Sequence, residues 1–515
     1  MGRVSSVLSA KVVESDDAKD GSPPGEPPGE EHREPPGEEH REYLVARHGT
    51  SSLDPMPCMD DADPLNWHQK KKVLNLSLVA FHAMMFSFTA AAIQCAFVDI
   101  AADLDVSVHE TTYLVALFIA VTGSSPLFWG PMSNTFGRRP IFLISLACTL
   151  AGNVACALSP SYLAMAGCRA ITAFFVSPAA SLGSAVVSEI FFKKNRGRYM
   201  GVWTVMITLG IPTAPLVFGF VAFRVGYRWI YWILAITNSV QFLLHFFLGS
   251  ETRYDPTTAP TSPPTLVQRY FGFRRINPKP IRPFDFVRPL TFVTRKCVIM
   301  AASSHAMVFL WCTVMTTLEI PQIFPKKFGL NAQEVGLQNI GNIVGTLVGE
   351  QVGGFCSDKW MLLPQGRGKA AKPEFRLWLS YMGYILAIVG VVIFLLQIDN
   401  ATNQWNVTPL VGAGIAAAGN QIVTTVMVTY AVDCYPKDAA AIGGLVNFVR
   451  QTWGFIGPFW FPLMIEKLGL TRSTAVPIAT MVGVSVIPTM LLQWKGRTWN
   501  KEHESLADSR WKHKA

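Results

Sequence analysis

Apolar residues fall in about twelve blocks, near 73–98, 111–131, 140–158, 161–190, 200–222, 229–249, 297–320, 333–355, 376–398, 405–433, 440–465 and 474–493, with short polar stretches between them. A helix needs about 20 mainly apolar residues to cross a bilayer core. Lipid offers backbone groups no hydrogen-bond partner, so blocks of this length predict helices. The pattern predicts an all-α membrane protein with twelve transmembrane helices. The long basic stretch 250–296 divides them into two pseudo-symmetric six-helix bundles, 71–249 and 297–493. Residues 1–70 and 494–515 are then an N-terminal and a C-terminal tail.

Composition agrees with this reading. Half the residues are hydrophobic and 15% are charged, against about 25% charged in soluble domains. Nine cysteines, mostly inside the blocks, include no C-x-x-C pair and read as small core hydrophobes. Residues 1–70 hold 15 Asp/Glu against 7 Lys/Arg. A Pro-Gly-Glu-rich repeat, 27–34 and again 35–42, predicts disorder across this tail. Met1-Gly2 fits the loose myristoylation pattern, a lipid that twelve spans would make redundant. The stretch 250–296 holds nine Lys/Arg and three Asp/Glu, and the loops at Arg138-Arg139, 193–198 and 358–376 are also basic. Short basic loops stay cytoplasmic, which places both termini in the cytoplasm. The loops bearing Arg224/Arg228 and Lys326/Lys327 dissent mildly. Asn400-Ala-Thr402 and Asn406-Val-Thr408 are glycosylation patterns in a loop this topology puts outside.

The two halves share a turn. The loop after the second block reads Gly130-x-x-x-Asn134-x-x-Gly137-Arg138-Arg139, and that after the eighth reads Gly354-x-x-x-Asp358-Lys359. A small residue lets helices approach, and the Asn or Asp caps a helix or meets a positive group.

Through these turns the chain resembles the major facilitator superfamily, whose motif A is G-x-x-x-(D/N)-(R/K)-x-G-R-(R/K). Thr135 departs from the pattern, and Asn134 in place of Asp removes a charge from the network by which the family latches its halves. Gly201, Gly210, Pro215 and Gly219 fit motif C of the drug:proton antiporters, with Ala214 and Phe218 replacing two glycines. Proline and small residues there suit either a rocking seam or a kinked packing helix. Arg169 fits motif B, where the family places an arginine linked to proton coupling. Asp63-Pro-Leu-Asn-Trp67, Gly226-Tyr-Arg-Trp229, Glu251-Thr-Arg-Tyr254, Tyr430-x-x-Asp433-x-Tyr435 and Asn447-Phe-x-x-Arg450 resemble fungal members of this branch. The resemblance covers about 63–495. It implies no cofactor beyond a proton gradient.

Charge inside a span is costly and functional by default. Arg169 lies about 12 Å from the outer end of its span, and Arg450 about 15 Å from the inner end, at 1.5 Å per residue. Glu350 lies at a depth comparable with Arg450. The two form either a permanent ion pair or an exchanging, proton-coupled one. Asp433 reads as an interfacial charge at a helix stop. Gln94, His305, Trp311, Asn342, Tyr430 and Asn447 are candidates for the substrate cavity. Asp99, Asp103 and Glu319 fall at outer ends, as a cation-attracting vestibule or solvated surface.

The leading expectation is a proton-coupled exporter of a hydrophobic small molecule, working as a monomer in the cell membrane, with a vacuolar location second. The alternative is an importer of an organic cation such as a polyamine. A non-transporting sensor would need a larger cytoplasmic domain than these tails provide. No di-metal box, nucleophile elbow or phosphate loop supports an enzyme. Topology and anionic lipid account for the basic loops without nucleic acid.

Overall fold

The computed structural model describes residues 38–50, 53–256, 275–278, 280–365, 373–401, 404–435 and 438–512, apart from the side chains at 358, 361–365 and 500–512. Among the described residues every regular element is helical. Residues 1–53 form a unit of their own, in which α1 (Glu38–His48) is described. The remainder, 54–515, is the second unit.

Among the described residues of the second unit, ten helical segments are long and apolar enough to cross a membrane. The first is α2 (Gln69–Ala91), continued by a short 3-10 turn and α3 (Phe97–Asp103). Next come α4 (Val108–Phe136) and α5 (Arg138–Ala157). The fourth is α6 (Tyr162–Val176) with α7 (Pro178–Ile190), followed by α8 (Lys193–Val225) and α9 (Arg228–Leu248). After the short α10 (Pro283–Thr291), α11 (Lys296–Phe309) runs through a π-helical turn at Leu310–Met315 into α12 (Thr316–Phe328). The helices α13 (Ala332–Leu337) and α14 (Ile340–Gln365) follow. Then come α15 (Pro373–Arg376) with α16 (Trp378–Asn400), and α17 (Thr408–Cys434). The chain continues through α18 (Ala439–Ile456), α19 (Phe461–Ser473), α20 (Ala475–Met481), a second π-helical turn and α21 (Ile487–Lys512).

Two predicted spans, 333–355 and 440–465, coincide with α14 and α18 but are not among the ten. Both are interrupted, the first by a turn at 338–339 between α13 and α14 and the second by a 3-10 turn at Gly457–Phe459 before α19. Asn342, Glu350 and Gln351 dilute the first, and Asn447, Arg450 and Gln451 the second. These are the helices that carry the polar interior.

Several expectations need correction. The described part of the 1–70 tail is structured. Asp63 caps Leu65 through Oδ1 (2.9 Å) and accepts from the Cys58 amide (2.8 Å), while the Asn66 amide donates to the Cys58 and Asp60 carbonyls. These short polar side chains tie the segment before α2 into a knot that a composition argument misses. The C-terminal tail from 494 is helical, because α21 continues to Lys512. The fourth block is two helices, since Pro178 at N1 of α7 cannot donate into the preceding turn. In the basic stretch, 257–274 and 279 lie outside the described residues, but α10 is ordered and Arg288 pairs with Asp438 at 2.8 Å.

Packing follows small residues. In α14, Gly341, Gly345, Gly349 and Gly353 run against Leu410, Gly414, Ala418 and Ile422 of α17. A Cβ at Gly345 would fall on the Gly414 carbonyl oxygen. Gly390 and Gly412 bring α16 equally close to α17. Large apolar side chains remain exposed on outer faces, among them Leu163 (82%), Ile385 and Phe355. Lipid covers such surface in a membrane protein. Chain segments from the first and last six predicted spans touch where α8 meets α13 and α14, where α4 meets α18, and where α3 meets α12; α4 also meets α10 of the intervening stretch.

Candidate functional site

Polar side chains of α11, α14 and α17 converge. Glu350 of α14 accepts from the Gln421 amide at 2.9 Å. The Asn420 amide donates to Gln421 Oε1 (3.3 Å) and to the Thr313 hydroxyl (3.2 Å) in the first π-helical turn. Thr424, one turn on, contacts His305 Nδ1 at 3.3 Å. On α18, Arg450 donates to Asn447 at 2.9 Å, and its guanidinium lies over the Phe309 ring, 4.9 Å from the centroid. Glu350 and Arg450 therefore form no ion pair. Their helices pack mainly on different neighbours, α14 on α17 and α8, and α18 on α11 and α4, with α17 between them. Among the described residues Glu350 pairs with no cation. A carboxylate whose only polar partner is a neutral amide can gain or lose a proton without breaking a salt bridge.

Arg169 is 1% exposed. It donates to the Leu114 carbonyl of α4 (3.3 Å), the Tyr231 hydroxyl of α9 (3.4 Å) and the Ala90 carbonyl of α2 (3.4 Å), with the Phe118 ring beneath it. Among the described residues it pairs with no carboxylate, so it ties three helices together. Glu319, expected in a vestibule or on solvated surface, is 2% exposed. The amide of Gln322, one turn on in α12, donates to it at 3.3 Å. This helix packs on Gln94–Ala96 and α3, and Gln94 has an unpartnered buried Oε1. Sequence position placed Glu319 too near a helix end. The helix runs on through Pro321 and Pro325 to Phe328, where two prolines read in sequence as a stop. Asp103 is no free vestibule charge either, since it holds Tyr227 and Arg228 at 2.5 and 2.8 Å. That pairing accounts for one dissenting outer arginine.

The turn between α4 and α5 is a closed ionic cage. Gly137 adopts φ 93°, where a Cβ would strike the Glu251 carboxylate. Glu251 accepts from the amides of Arg138 (2.8 Å), Arg139 (3.0 Å) and Arg253 (2.8 Å), capping the start of α5. Burial raises its carboxyl above the ordinary range, and the three N–H donors oppose that rise. Arg138 forks onto Glu189 of α7 (2.8 Å), which also accepts from Thr252 (2.9 Å), and donates to Ser133. Arg139 donates to the Phe246 carbonyl at 2.8 Å. Asn134, a candidate gating residue of this turn, lacks the charge of the family's Asp. Asn134 is exposed and makes no hydrogen bond among the described residues. The side-chain partners named here precede residue 254. Ile276 also joins the turn, its amide donating to the Thr135 carbonyl at 2.8 Å, so the cage ties the first six spans to one another and to the stretch that follows them. Glu189 was missed, although a lone acid closing an apolar block marks it. The equivalent Asp358 side chain lies outside the described residues. Asp433 pairs with Arg376 at 3.5 Å, in keeping with an interfacial charge.

The motif C residues line α8. Gly210 touches Ser87 and Met84 of α2. Pro215 and Gly219 face Gly336 and Ala332 of α13, and a Cβ on Gly219 would come 2.7 Å from the Ala332 oxygen. Gly201 has open space around its Cβ position. Of the cavity candidates, Trp311 is packed against Trp460 and Phe461 and donates to Thr480 at 2.8 Å. Tyr430 is also fully buried, and Asn342 is buried beside Asn339. Asn400 is exposed, and Asn406 accepts from Thr408 at 2.6 Å; Thr402 of the first glycosylation pattern lies outside the described residues.

A sequence model of the Major Facilitator Superfamily matches residues 77–458. Efflux pump radE of Floropilus chiversii is 25% identical over 463 residues, covering 85% of this chain and 83% of its own. The probable efflux pump mfs2 of Aspergillus flavus is 25% identical over 431 residues, covering 79% and 97%. MFS transporter cpaT of Aspergillus oryzae is 24% identical over 444 residues, covering 84% and 88%. None of this group is an enzyme, and with ten apolar helices and the family model over most of its length, the chain is a multi-pass membrane protein belonging to the major facilitator superfamily.

Proposed function

We propose that this chain is a monomeric twelve-span secondary transporter that exports a hydrophobic small molecule, a drug, toxin or secondary metabolite, in exchange for protons. Its two six-helix bundles rock about the small-residue crossing of α8 and α13, with both termini cytoplasmic, in the cell membrane. Asn400 and Asn406 are then external glycosylation positions. The observation that carries the proton coupling is Glu350. Its carboxylate sits within a predicted span and is held by the Gln421 amide. Charged, it accepts from Gln421; protonated, it still accepts through one oxygen and gains an O–H donor that needs a new acceptor beside the Asn420–Gln421–Thr313 chain. Arg450, held by Asn447 on α18, carries no proton itself. The printed names of radE and mfs2 as efflux pumps support the direction.

The test is compound accumulation in cells expressing wild type or Glu350→Gln, with and without a protonophore. Wild type lowers accumulation, and both the protonophore and the substitution abolish that. Unchanged accumulation across candidate compounds rejects export. A second reading, import of an organic cation such as a polyamine, rests on Glu319 and Glu350 being acids without a basic partner among the described residues. Labelled polyamine uptake separates the two.

A further inference from the structure

The first six spans contain a stripe of buried polar side chains that transport chemistry at Glu350 does not use. On α5 it comprises Ser145, Thr149 and Asn153, at intervals of four. On α9 it comprises Asn238, Gln241 and His245, and α2 adds His82. All seven are at most 3% exposed. His82 contacts Ser145 at 3.3 Å, and the rings of His82 and His245 meet edge-on at 5.6 Å. Both oxygen and nitrogen of Asn153, Asn238 and Gln241 lack a partner, as do Thr149 Oγ1, His82 Nδ1 and His245 Nε2.

These positions are in register. Helices α5 and α9 pack together. Phe142 meets His245 near one end, and Arg228 reaches the Ala157 carbonyl near the other. That antiparallel alignment sets Ser145 level with Gln241 and Thr149 level with Asn238. Asn153 then lies within a turn of the level of Tyr231, whose hydroxyl accepts from Arg169. From Ser145 to Asn153 the stripe rises about 12 Å at 1.5 Å per residue.

Buried polar atoms find partners, and hydrocarbon supplies none. All three amides and both imidazoles can donate as well as accept, so the stripe suits a ligand that does both, is small and is uncharged. We propose that a file of bound water fills the α2–α5–α9 seam, joining the His82–His245 pair to the Arg169–Tyr231 contact. A buried water makes about three hydrogen bonds, so nine open atoms call for about three waters at minimum. The stripe would thus be a hydrated core inside the first bundle. It is independent of the export reading and holds for either direction of transport.

The test is millisecond X-ray hydroxyl-radical footprinting of the full chain in nanodiscs, in ¹⁸O-labelled water. Bound water generates radicals in place and labels its neighbours despite their burial. Phe142, His82 and His245 should take up ¹⁸O several-fold faster than Phe394, which is equally buried among apolar groups. Gln241→Leu and Asn238→Leu should each suppress that labelling, while a monodisperse elution profile confirms folding. Labelling of Phe142, His82 and His245 no faster than Phe394 in the wild type overturns the proposal without recourse to any variant. So does labelling that persists in both variants.

Discussion

Removing the charge of Glu189 tests whether the cage at the α4–α5 turn is a buried ion pair or surface decoration. Arg138 and Glu189 side chains are 6% and 15% exposed, and the guanidinium forks onto the carboxylate at 2.8 and 3.2 Å. Glu189→Gln keeps the shape and the Thr252 contact. It leaves Arg138 with Ser133 alone as a side-chain partner. Breaking a buried pair from one side costs about 3–5 kcal/mol. Arg253, 3.7 Å from Glu189, adds a second stranded positive charge, while its own exposure softens the penalty, so about 3 kcal/mol is expected. The assay is reversible denaturant unfolding in detergent, run as a double-mutant cycle with Arg138→Met. The double variant should be more stable than Glu189→Gln alone, because removing both charges leaves neither stranded. A cost below about 1 kcal/mol, the worth of an exposed pair, together with no coupling in the cycle, would refute the burial argument.

Asn134→Ala should change stability by less than about 0.5 kcal/mol in the same assay, because the side chain is exposed and bonds nothing described. Gly336→Leu forces a side chain into the Pro215 carbonyl. Overpacking of this kind costs about 1–3 kcal/mol, and export should fall in a vesicle efflux assay while membrane insertion persists. Glu251 binds its proton more tightly folded than unfolded, so the folded state is favoured as pH falls. Its contribution should strengthen from the folded carboxyl value down to the ordinary value of 4.5 and level off below it. Glu251→Gln should lack that slope in unfolding measurements across the acidic range.

Much of the fold was legible because lipid imposes one rule on every block: helical length and apolar content. Ten of the blocks coincide with helices long and apolar enough to span for that reason; the blocks at 333–355 and 440–465 are helical over most of their length but carry polar residues. Their ends were less legible, because capping decides them and capping is local chemistry. Ser107 with Glu110, and Asn331 with Glu334, fix two starts that an apolar count places loosely. The knot before α2 lay hidden because Asp63 and Asn66 order the backbone without burying much apolar surface. The site was half legible. Depth alone singled out Arg169, Glu350 and Arg450, since a charge among apolar residues stands out in one dimension. Partners did not, because they come from other helices. Glu350 meets Gln421 rather than Arg450, and Arg138 meets Glu189, 51 positions on. Neutral polar residues such as Asn238 and Gln241 drew no notice among apolar neighbours, and only packing revealed them.

The glycine row of α14 has a mechanical consequence. Helices ordinarily lock by interdigitating ridges of side chains. Along Gly341, Gly345, Gly349 and Gly353 there are no ridges, and backbone lies directly on the backbone of α17. The contact is a rail: strong against separation, weak against slippage along its length. Beside Gly349 sits Glu350, bonded across the rail to Gln421. A hydrogen bond depends on direction where close-packed glycines do not, so this one contact serves as the detent that sets how far one helix stands along the other.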